Sequence, residues 1–279
     1  MKKRIIIISI ITILVITSII LYGFFISKNN IKTNEIKLVS NTITDDYNGI
    51  KVVHISDLYY KKELKEKYLE KIVNEINLLK PDILVITGDI LNKDINYNED
   101  DIKKLTNYID SIKTTLGKYI IKGDNDSSEL WDVLVKESSL TDMNDNYKLI
   151  FSNTTIPILI SGINSRSSDE FKSKINKLNE DINSLEIKPC YSILLIHEPD
   201  YIIDSNLSNY NLILAGHSLG GVKIPIIGRI YNDIGSKKYN YGKYEIDNSI
   251  LYVSNGLSSP KLKYRLSNEP SINFYRIVK

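Results

Sequence analysis

A layered α/β domain carried behind an N-terminal apolar segment is the fold class this sequence predicts. Three observations lead there. The first 27 residues read apart from the rest, as an apolar run behind a basic cluster. After residue 50, short apolar runs of strand length alternate with longer segments whose apolar residues recur at helical spacing, and a run of strands follows; that is the pattern of an α/β layer architecture. Several of the apolar runs are closed by glycine, aspartate or histidine, so reactive side chains stand where strands end and loops begin.

The elements follow in order. Lys2, Lys3 and Arg4 precede IIIISIITILVITSIILYGFFIS, Ile5 to Ser27. A membrane span needs about 20 apolar residues, whereas a cleavable signal has an apolar core of roughly 7–15 and a small-x-small cleavage site. This run is too long and ends in Phe24, Phe25 and Ile26, so residues 1–27 read as an uncleaved anchor. Lys28 and Lys32 flank it on the other side, but the denser N-terminal cluster is expected to stay in the cytoplasm. The expectation is then a single-pass cell-membrane protein with its soluble domain outside, the alternative being an anchor that leaves the domain in the cytoplasm. Residues 28–45 read as a juxtamembrane linker, polar over Asn29 to Thr33, with a first strand from Glu35 to Val39 and a turn at Asp45, Asp46, Asn48 and Gly49.

Residues 46–279 make the main domain. Ile50 to Ser56 is a strand with Asp57 at its end. Leu64, Tyr68, Ile72, Ile76 and Leu79 mark a helix that Pro81 stops. Ile83 to Thr87 is a buried strand closed by Gly88-Asp89, a helix covers Glu99 to Thr115, and Tyr119 to Ile121 leads into Gly123-Asp124-Asn125-Asp126. Trp131, Val133 and Leu134 lie on a third helix. A strand over Ile158 to Ile163, a helix over Asp169 to Leu185, and a strand from Ile193 to Ile196 ending in His197 come next. Leu212 to Ala215 stops at Gly216-His217, with Gly220-Gly221 just beyond. From Val222 on the pattern is β, over Lys243 to Ile246, Ile250 to Val253 and Asn273 to Ile277.

Composition narrows the function. With 36 Lys and Arg against 34 Asp and Glu, the net charge is +2, which gives no basic footprint for nucleic acid. The lone cysteine, Cys190, excludes an internal disulfide and any CxxC metal knuckle.

The strand-end motifs run HISDLYY, TGDI, KGDND, LIHEP, AGHSLGG. In that order they resemble the calcineurin-like metallophosphoesterase family, which shows D-x-H, G-D, G-N-H-D/E, a lone histidine and G-H-x-H. The resemblance covers residues 46 to 279, and the tail YVSNGLSSPKLKYRLSNEPSI is similar to that of membrane-associated bacterial members. It implies a sandwich of two mixed β-sheets flanked by helices. It also implies two metal sites, one from the positions of Asp57, Tyr59, Asp89 and Leu219, the other from Asp89, Asp124, His197 and His217. The motifs depart from the family in a pattern. Tyr59 and Leu219 stand where histidines belong, so the first site has lost both imidazoles. Asp124 replaces asparagine and Asn125 replaces histidine, but the second site keeps two carboxylates and two imidazoles, a set that suits manganese, iron or zinc. With Asp57 also ionised, three carboxylates around the site would repel one another. One divalent metal ion offsets that repulsion, so the expectation is one metal with the second site lost.

The resemblance implies in-line attack of water on phosphorus, aided by two metals. The catalytic positions would be Asp57 and Asn125, the latter where relatives carry a histidine that helps the leaving group. Losing a general acid typically costs about 10²–10⁴ in rate. The expectation is a membrane-anchored weak hydrolase of phosphoesters or pyrophosphates, acting on a phosphorylated small molecule or an envelope lipid or glycan. The rival is an inactive relative that binds a phosphorylated ligand or a protein partner, and a purely structural envelope protein would need no metal. Around the site, Asp57 is either ligand or hydrogen-bonding relic, and His54 reads as a core histidine. Tyr59 and Tyr60 read as packing or rim residues. Lys61 and Lys62 read as a solvated face near the pocket mouth, where they could meet a phosphate, and Asp126 reads as a residue that supports the ligands from behind or caps.

Overall fold

The computed structural model describes residues 2–61, 66–126, 128–224, 228–231, 233–259, 264–266 and 268–279; Lys62 and Leu64 lie outside the described residues. The apolar run forms α1 (Lys2–Phe25), which at about 1.5 Å per residue is long enough for a hydrocarbon layer of about 30 Å. It is the one helix among the described residues long and apolar enough to cross a membrane, with a mean hydropathy of 2.9 and no part of its most apolar window buried. Only Gly23 of this helix is buried. A 3₁₀ turn at Ser27–Asn29 leads into β1 (Lys32–Val39), which begins inside the segment expected to be linker.

The chain then runs β2 (Ile50–Ile55), α2 (Glu66–Leu79), β3 (Ile83–Thr87), α3 (Glu99–Ser111), β4 (Gly117–Ile121) and α4 (Ser128–Lys136). After β5 (Leu140–Asp142) and β6 (Asn146–Ile150) come β7 (Ile158–Gly162), α5 (Ser168–Ser184), β8 (Tyr191–Leu195) and β9 (Leu212–Ala215). A hairpin, β10 (Val222–Ile224) and β11 (Gly228–Tyr231), precedes β12 (Gly242–Ile246), β13 (Ser249–Val253) and β14 (Ser271–Val278). Helix α3 begins at a capping box in which Asn98 and Asp101 exchange side-chain and backbone bonds. It ends at Ser111, short of the expected Thr115.

Two mixed six-stranded sheets face each other, ordered β1-β14-β2-β3-β4-β5 and β12-β13-β9-β8-β7-β6. Alternation along each strand splits the apolar residues between two layers. Val52, Val85, Ile121, Ile160, Ile193 and Leu214 fill the space between the sheets. Val53, Leu84 and Ile120 turn outward under Ile72 and Ile76 of α2, Leu105 of α3 and Trp131 of α4. On the far side Phe171, Ile175 and Ile182 of α5 cover Leu159, Leu194 and Ile213. Covering both faces explains why the central strands read as unbroken apolar runs. The parallel strands β2, β3 and β4 run side by side in one sheet, and β7, β8 and β9 in the other. Their C-terminal ends therefore gather the loops that carry the reactive residues.

His54 is fully buried on β2, its Nε2 2.8 Å from the Thr87 hydroxyl. Burial pushes its pKa down to about 3. A histidine held neutral contributes stability that is complete above the unfolded pKa of about 6.5 and is lost as pH falls toward the folded value. Lowering the pH from 7 to 4.5 is expected to cost roughly 2–3 kcal/mol through this residue. Urea unfolding at both pH values checks it: the acid-induced loss should be smaller by about that amount in His54→Gln, and an equal loss in both proteins would refute the assignment.

Candidate metal centre

Asp57 follows β2 and sits in a left-handed backbone conformation (φ 54°), as do Tyr59, Asp89, His217 and Leu219. Non-glycine residues pay strain of about 1–3 kcal/mol each for this, and such residues cluster where a side chain must be aimed. Gly88 stands at φ 88° for a further reason: a Cβ there would come within 2.6 Å of His197 Nδ1 and of the Gly123 nitrogen. The loops after β3, β4 and β8 thus interlock at backbone distance.

Asp57, Asp89, Asp124, His197 and His217 converge. The ligand atoms of Asp124, His197 and His217 lie within 4.8 Å of one another, and so do those of Asp57, Asp89 and His197. His197 Nδ1 is 2.7 Å from the Thr87 carbonyl oxygen, which can only accept, so Nδ1 carries a proton and Nε2 is the nitrogen turned to the carboxylates. Nε2 lies 3.2 Å from Asp124 Oδ1 and 3.4 Å from Asp89 Oδ2. His217 is fixed the same way with the nitrogens exchanged: Nε2 donates to the Ile234 carbonyl at 2.7 Å, and Nδ1 faces Asp124 Oδ1 at 3.3 Å. Asp57 Oδ2 accepts from the Ser56 hydroxyl at 2.5 Å and from the His217 amide at 3.1 Å, while its buried Oδ1 has no partner.

The electrostatics draw in positive charge. Burial alone would push the His197 imidazole down, but Asp89 and Asp124 more than offset it and hold it well above the ordinary histidine value. Burial likewise opposes ionisation of Asp124, yet its hydrogen bonds to His197 and His217 leave its carboxyl well below the usual range. Burial lifts Asp57 to about 6. Two imidazole nitrogens turned toward a carboxylate at the solvent side, now holding protons that a cation would displace, and an orphaned carboxylate oxygen nearby fit a divalent cation bound by nitrogen and oxygen donors. Asp124 keeps 34% of its side chain exposed, whereas Asp89 and His197 are buried, so the mouth lies beside Asp124.

The first-site positions hold something else. The Tyr59 hydroxyl donates to Asp89 Oδ2 at 2.5 Å. Asn125 Nδ2 donates to the same oxygen at 2.9 Å and to the Tyr59 oxygen at 3.1 Å, and the Asn125 backbone N–H donates to Asp89 Oδ1 at 2.8 Å. Tyr59 is thus a half-buried donor to the site, a role beyond the packing or rim position that the sequence suggested; desolvation and the neighbouring carboxylates hold its phenol well above 10, so it remains protonated. Asn125 spends both of its side-chain donor bonds on Asp89 and Tyr59, leaving none for a leaving group. Leu219 is buried, packed so close to Gly256 that a Cβ there would meet it at 2.6 Å. Lys61 pairs with Asp101 at 2.5 Å. Asp126 takes the backbone N–H groups of Asp89, Leu91 and Gly123, the capping role expected of it.

Sequence reasoning missed Arg265. Its guanidinium is fully buried and donates to the carbonyl oxygens of Asn255, Ser258 and Asn268. The segment it ties together donates from Leu257 N–H to the Ser56 carbonyl and from Ser258 N–H to the Asp57 carbonyl, both at 3.0 Å. Arg265 N–H also donates to the Gly23 carbonyl at 3.2 Å, and the Tyr264 ring meets Phe24 at 4.9 Å, tilted by 60°. One loop thus touches both the end of α1 and the strand end that carries Asp57.

Residues 50–221, more than half of the chain, match the family profile described as Calcineurin-like phosphoesterase. The uncharacterized metallophosphoesterase YkuE of Bacillus subtilis is 24% identical over 263 residues, covering 92% of this chain and 88% of its own. The UDP-2,3-diacylglucosamine pyrophosphatase LpxG of Chlamydia trachomatis is 23% identical over 283 residues, covering 82% of this chain and 84% of its own. Among solved structures, GAP50, the anchor in the inner membrane complex of Plasmodium, is similar in fold with a TM-score of 0.51 at 12% identity, over 81% of this chain and 80% of that one.

Proposed function

The chain belongs to the calcineurin-like phosphoesterase family, and on that footing we propose that it is a membrane-anchored member that holds one divalent metal ion and binds a phosphorylated envelope ligand there, hydrolysing it only weakly. The observation that carries this reading is the filling of Asp89. A carboxylate shared by two metals needs a lone pair free for each, and here Oδ2 takes the Tyr59 hydroxyl and the Asn125 amide while Oδ1 takes the Asn125 backbone. Asp124, His197 and His217 remain to hold one ion, of manganese, iron or zinc.

A metal bound there would polarise a phosphoryl oxygen as a Lewis acid. The rest falls to the chain's own groups. The Thr87 and Ile234 carbonyls each take the proton of one imidazole nitrogen and so aim the other nitrogen at the site, where it would bind a metal once its own proton is released. Asp124, at the open side, would be the ligand nearest to whatever enters. The amide of Asn125 has no proton to release to a leaving oxygen. That supports the second reading, a ligand-binding relative without turnover. The pyrophosphatase relative acts on a phosphorylated lipid, which supports an envelope lipid as ligand. So does the loop joining Asp57 to the end of α1, which supports a metal centre at the membrane end of the domain. The basic cluster Lys2–Arg4 supports an outward-facing domain.

The test uses the full chain in detergent. Metal analysis after dialysis against manganese, iron or zinc should return about one equivalent, reduced at least about tenfold in His217→Ala. Assays with bis(p-nitrophenyl) phosphate and p-nitrophenyl phosphate decide between the two readings. Well below one equivalent, or two equivalents, in the unaltered chain would sink the single-metal proposal.

A further inference from the structure

The two imidazoles of the metal centre are aimed by carbonyls that are themselves held in different ways. Thr87, whose carbonyl takes the His197 Nδ1 proton at 2.7 Å, is the fully buried last residue of β3 and pairs with Ile121 of β4 in the sheet. Ile234, whose carbonyl takes the His217 Nε2 proton at 2.7 Å, lies between β11 and β12 with 78% of its surface exposed. Lys237 and Lys238, just beyond it, are exposed too. Apolar packing therefore does little to fix the Ile234 carbonyl, and polar bonds must hold it.

Asp200 supplies those bonds. It stands three residues after His197, in the 3₁₀ turn Pro199–Ile202. Its Oδ2 accepts the backbone N–H groups of Lys237 at 2.6 Å and Lys238 at 3.0 Å, and its Oδ1 accepts that of Tyr239 at 2.8 Å. Its own N–H donates to the Gly235 carbonyl at 2.8 Å. Bonds from backbone N–H groups to a carboxylate are charge-assisted, roughly twice as strong as neutral ones. The Ile234 carbonyl shares a planar peptide unit with the Gly235 nitrogen, so a grip on Gly235 sets the direction of that carbonyl. Gly235 is at φ 95°, and a Cβ there would lie 3.1 Å from Glu198 Cβ, so this loop runs directly against the segment from His197 to Asp200. Within the loop, the N–H of buried Ser236 donates to the Asp233 carbonyl at 3.2 Å and closes the turn around Ile234.

We propose that Asp200 is a positioning residue for the metal centre. Through the loop 233–239 it fixes the Ile234 carbonyl, which keeps a proton on His217 Nε2 and turns Nδ1 toward Asp124. The segment that carries one imidazole thereby sets the tautomer of the other. Asp200 acts through the loop and is not itself a ligand. Its effect on metal affinity rests on the single-metal reading above, whereas its effect on the His217 tautomer is measured without metal.

The experiment uses the full chain in detergent, isotope-labelled at histidine; the three histidines, His54, His197 and His217, give few enough signals to resolve by NMR. In the metal-free protein, at a pH alkaline enough to leave His217 neutral, proton–nitrogen couplings should report its Nε2–H tautomer. Asp200→Ala should turn that signal into a mixture of tautomers with His54 and His197 unchanged, and should weaken zinc binding at least about tenfold. Asp200→Asn keeps one acceptor oxygen and guards against loss of fold; it should stay mainly in the Nε2–H form and lose about threefold or less in zinc affinity. An unchanged His217 tautomer in Asp200→Ala would overturn the proposal whatever the affinity does, since a fall in affinity alone is what a merely structural role predicts. If the unaltered chain binds no zinc, manganese or iron, the single-metal reading falls, and the role of Asp200 stands or falls by the tautomer alone.

Discussion

Replacing Tyr59, Asn125 and Leu219 together by histidine is expected to raise the metal content from about one to about two equivalents and phosphodiester hydrolysis at least about a hundredfold. Each change removes a different obstacle. Tyr59→His takes the phenol off Asp89 Oδ2, where it now sits at 2.5 Å. Asn125→His removes the second donor from that oxygen, which it meets at 2.9 Å, and puts a group able to release a proton beside it. Leu219→His places an imidazole near Asp57, whose Oδ1 lacks a partner. The backbone favours that last exchange, since Leu219 has φ 49°, a region where histidine is far commoner than a bulky aliphatic residue. Tyr59→His alone should fail, because the second donor and the apolar side chain remain. Metal analysis and bis(p-nitrophenyl) phosphate turnover, measured on the same preparation, check both halves. A triple variant that folds and still binds one equivalent would show that the site is closed by its backbone, not by these three side chains.

The sequence made the ends of the central strands legible because each ends in an apolar run followed by a reactive residue, and backbone geometry then aims that residue. Asp57, Asp89, His197 and His217 could be named for that reason. Tyr59 could not be placed, because nothing in HISDLYY says that a left-handed residue at φ 46° turns the phenol inward onto Asp89. Strands β5 and β6 were missed because their alternation is weak. Asn146 and Lys148 point out to solvent from an edge strand, and only Ile150 is well buried. β1 was cut short because Lys32, Thr33 and Asn34 look like linker; they pair because β14 offers a full parallel register, Lys32 to Ser271 through Val39 to Val278. The role of Arg265 was invisible for a similar reason. A lone arginine in a Ser-, Asn- and Pro-rich tail reads as solvated, and its partners are main-chain carbonyls that leave no mark in a sequence.

Those carbonyls make Arg265 the most consequential residue outside the metal cluster. Its Nε donates to the Ser258 carbonyl at 2.9 Å, Nη1 to Asn268 at 2.6 Å and Nη2 to Asn255 at 2.7 Å, with a further contact from Nη2 to Ser258. Burial lowers its pKa to about 10, so it remains charged at neutral pH. Arg265→Gln is expected to destabilise the domain by about 3–5 kcal/mol, since it leaves several buried carbonyls short of donors and charge-assisted bonds contribute more than neutral ones. Arg265→Lys keeps the charge but replaces a planar fork with a single ammonium, so it should recover only a minor part of the loss. Urea unfolding followed by the fluorescence of Trp131, on the buried face of α4, measures both. The same substitution should reach the metal centre. Ser258 and Leu257 hold the Asp57 and Ser56 carbonyls at 3.0 Å, and Asp57 in turn accepts the His217 amide at 3.1 Å. In the lysine variant, metal affinity should therefore fall at least about tenfold, as it does when supporting residues around a metal site are removed. A variant within about 0.5 kcal/mol of the parent in stability, with unchanged metal affinity, would mean that the carbonyls find other donors and that the loop does not hold Asp57 in place.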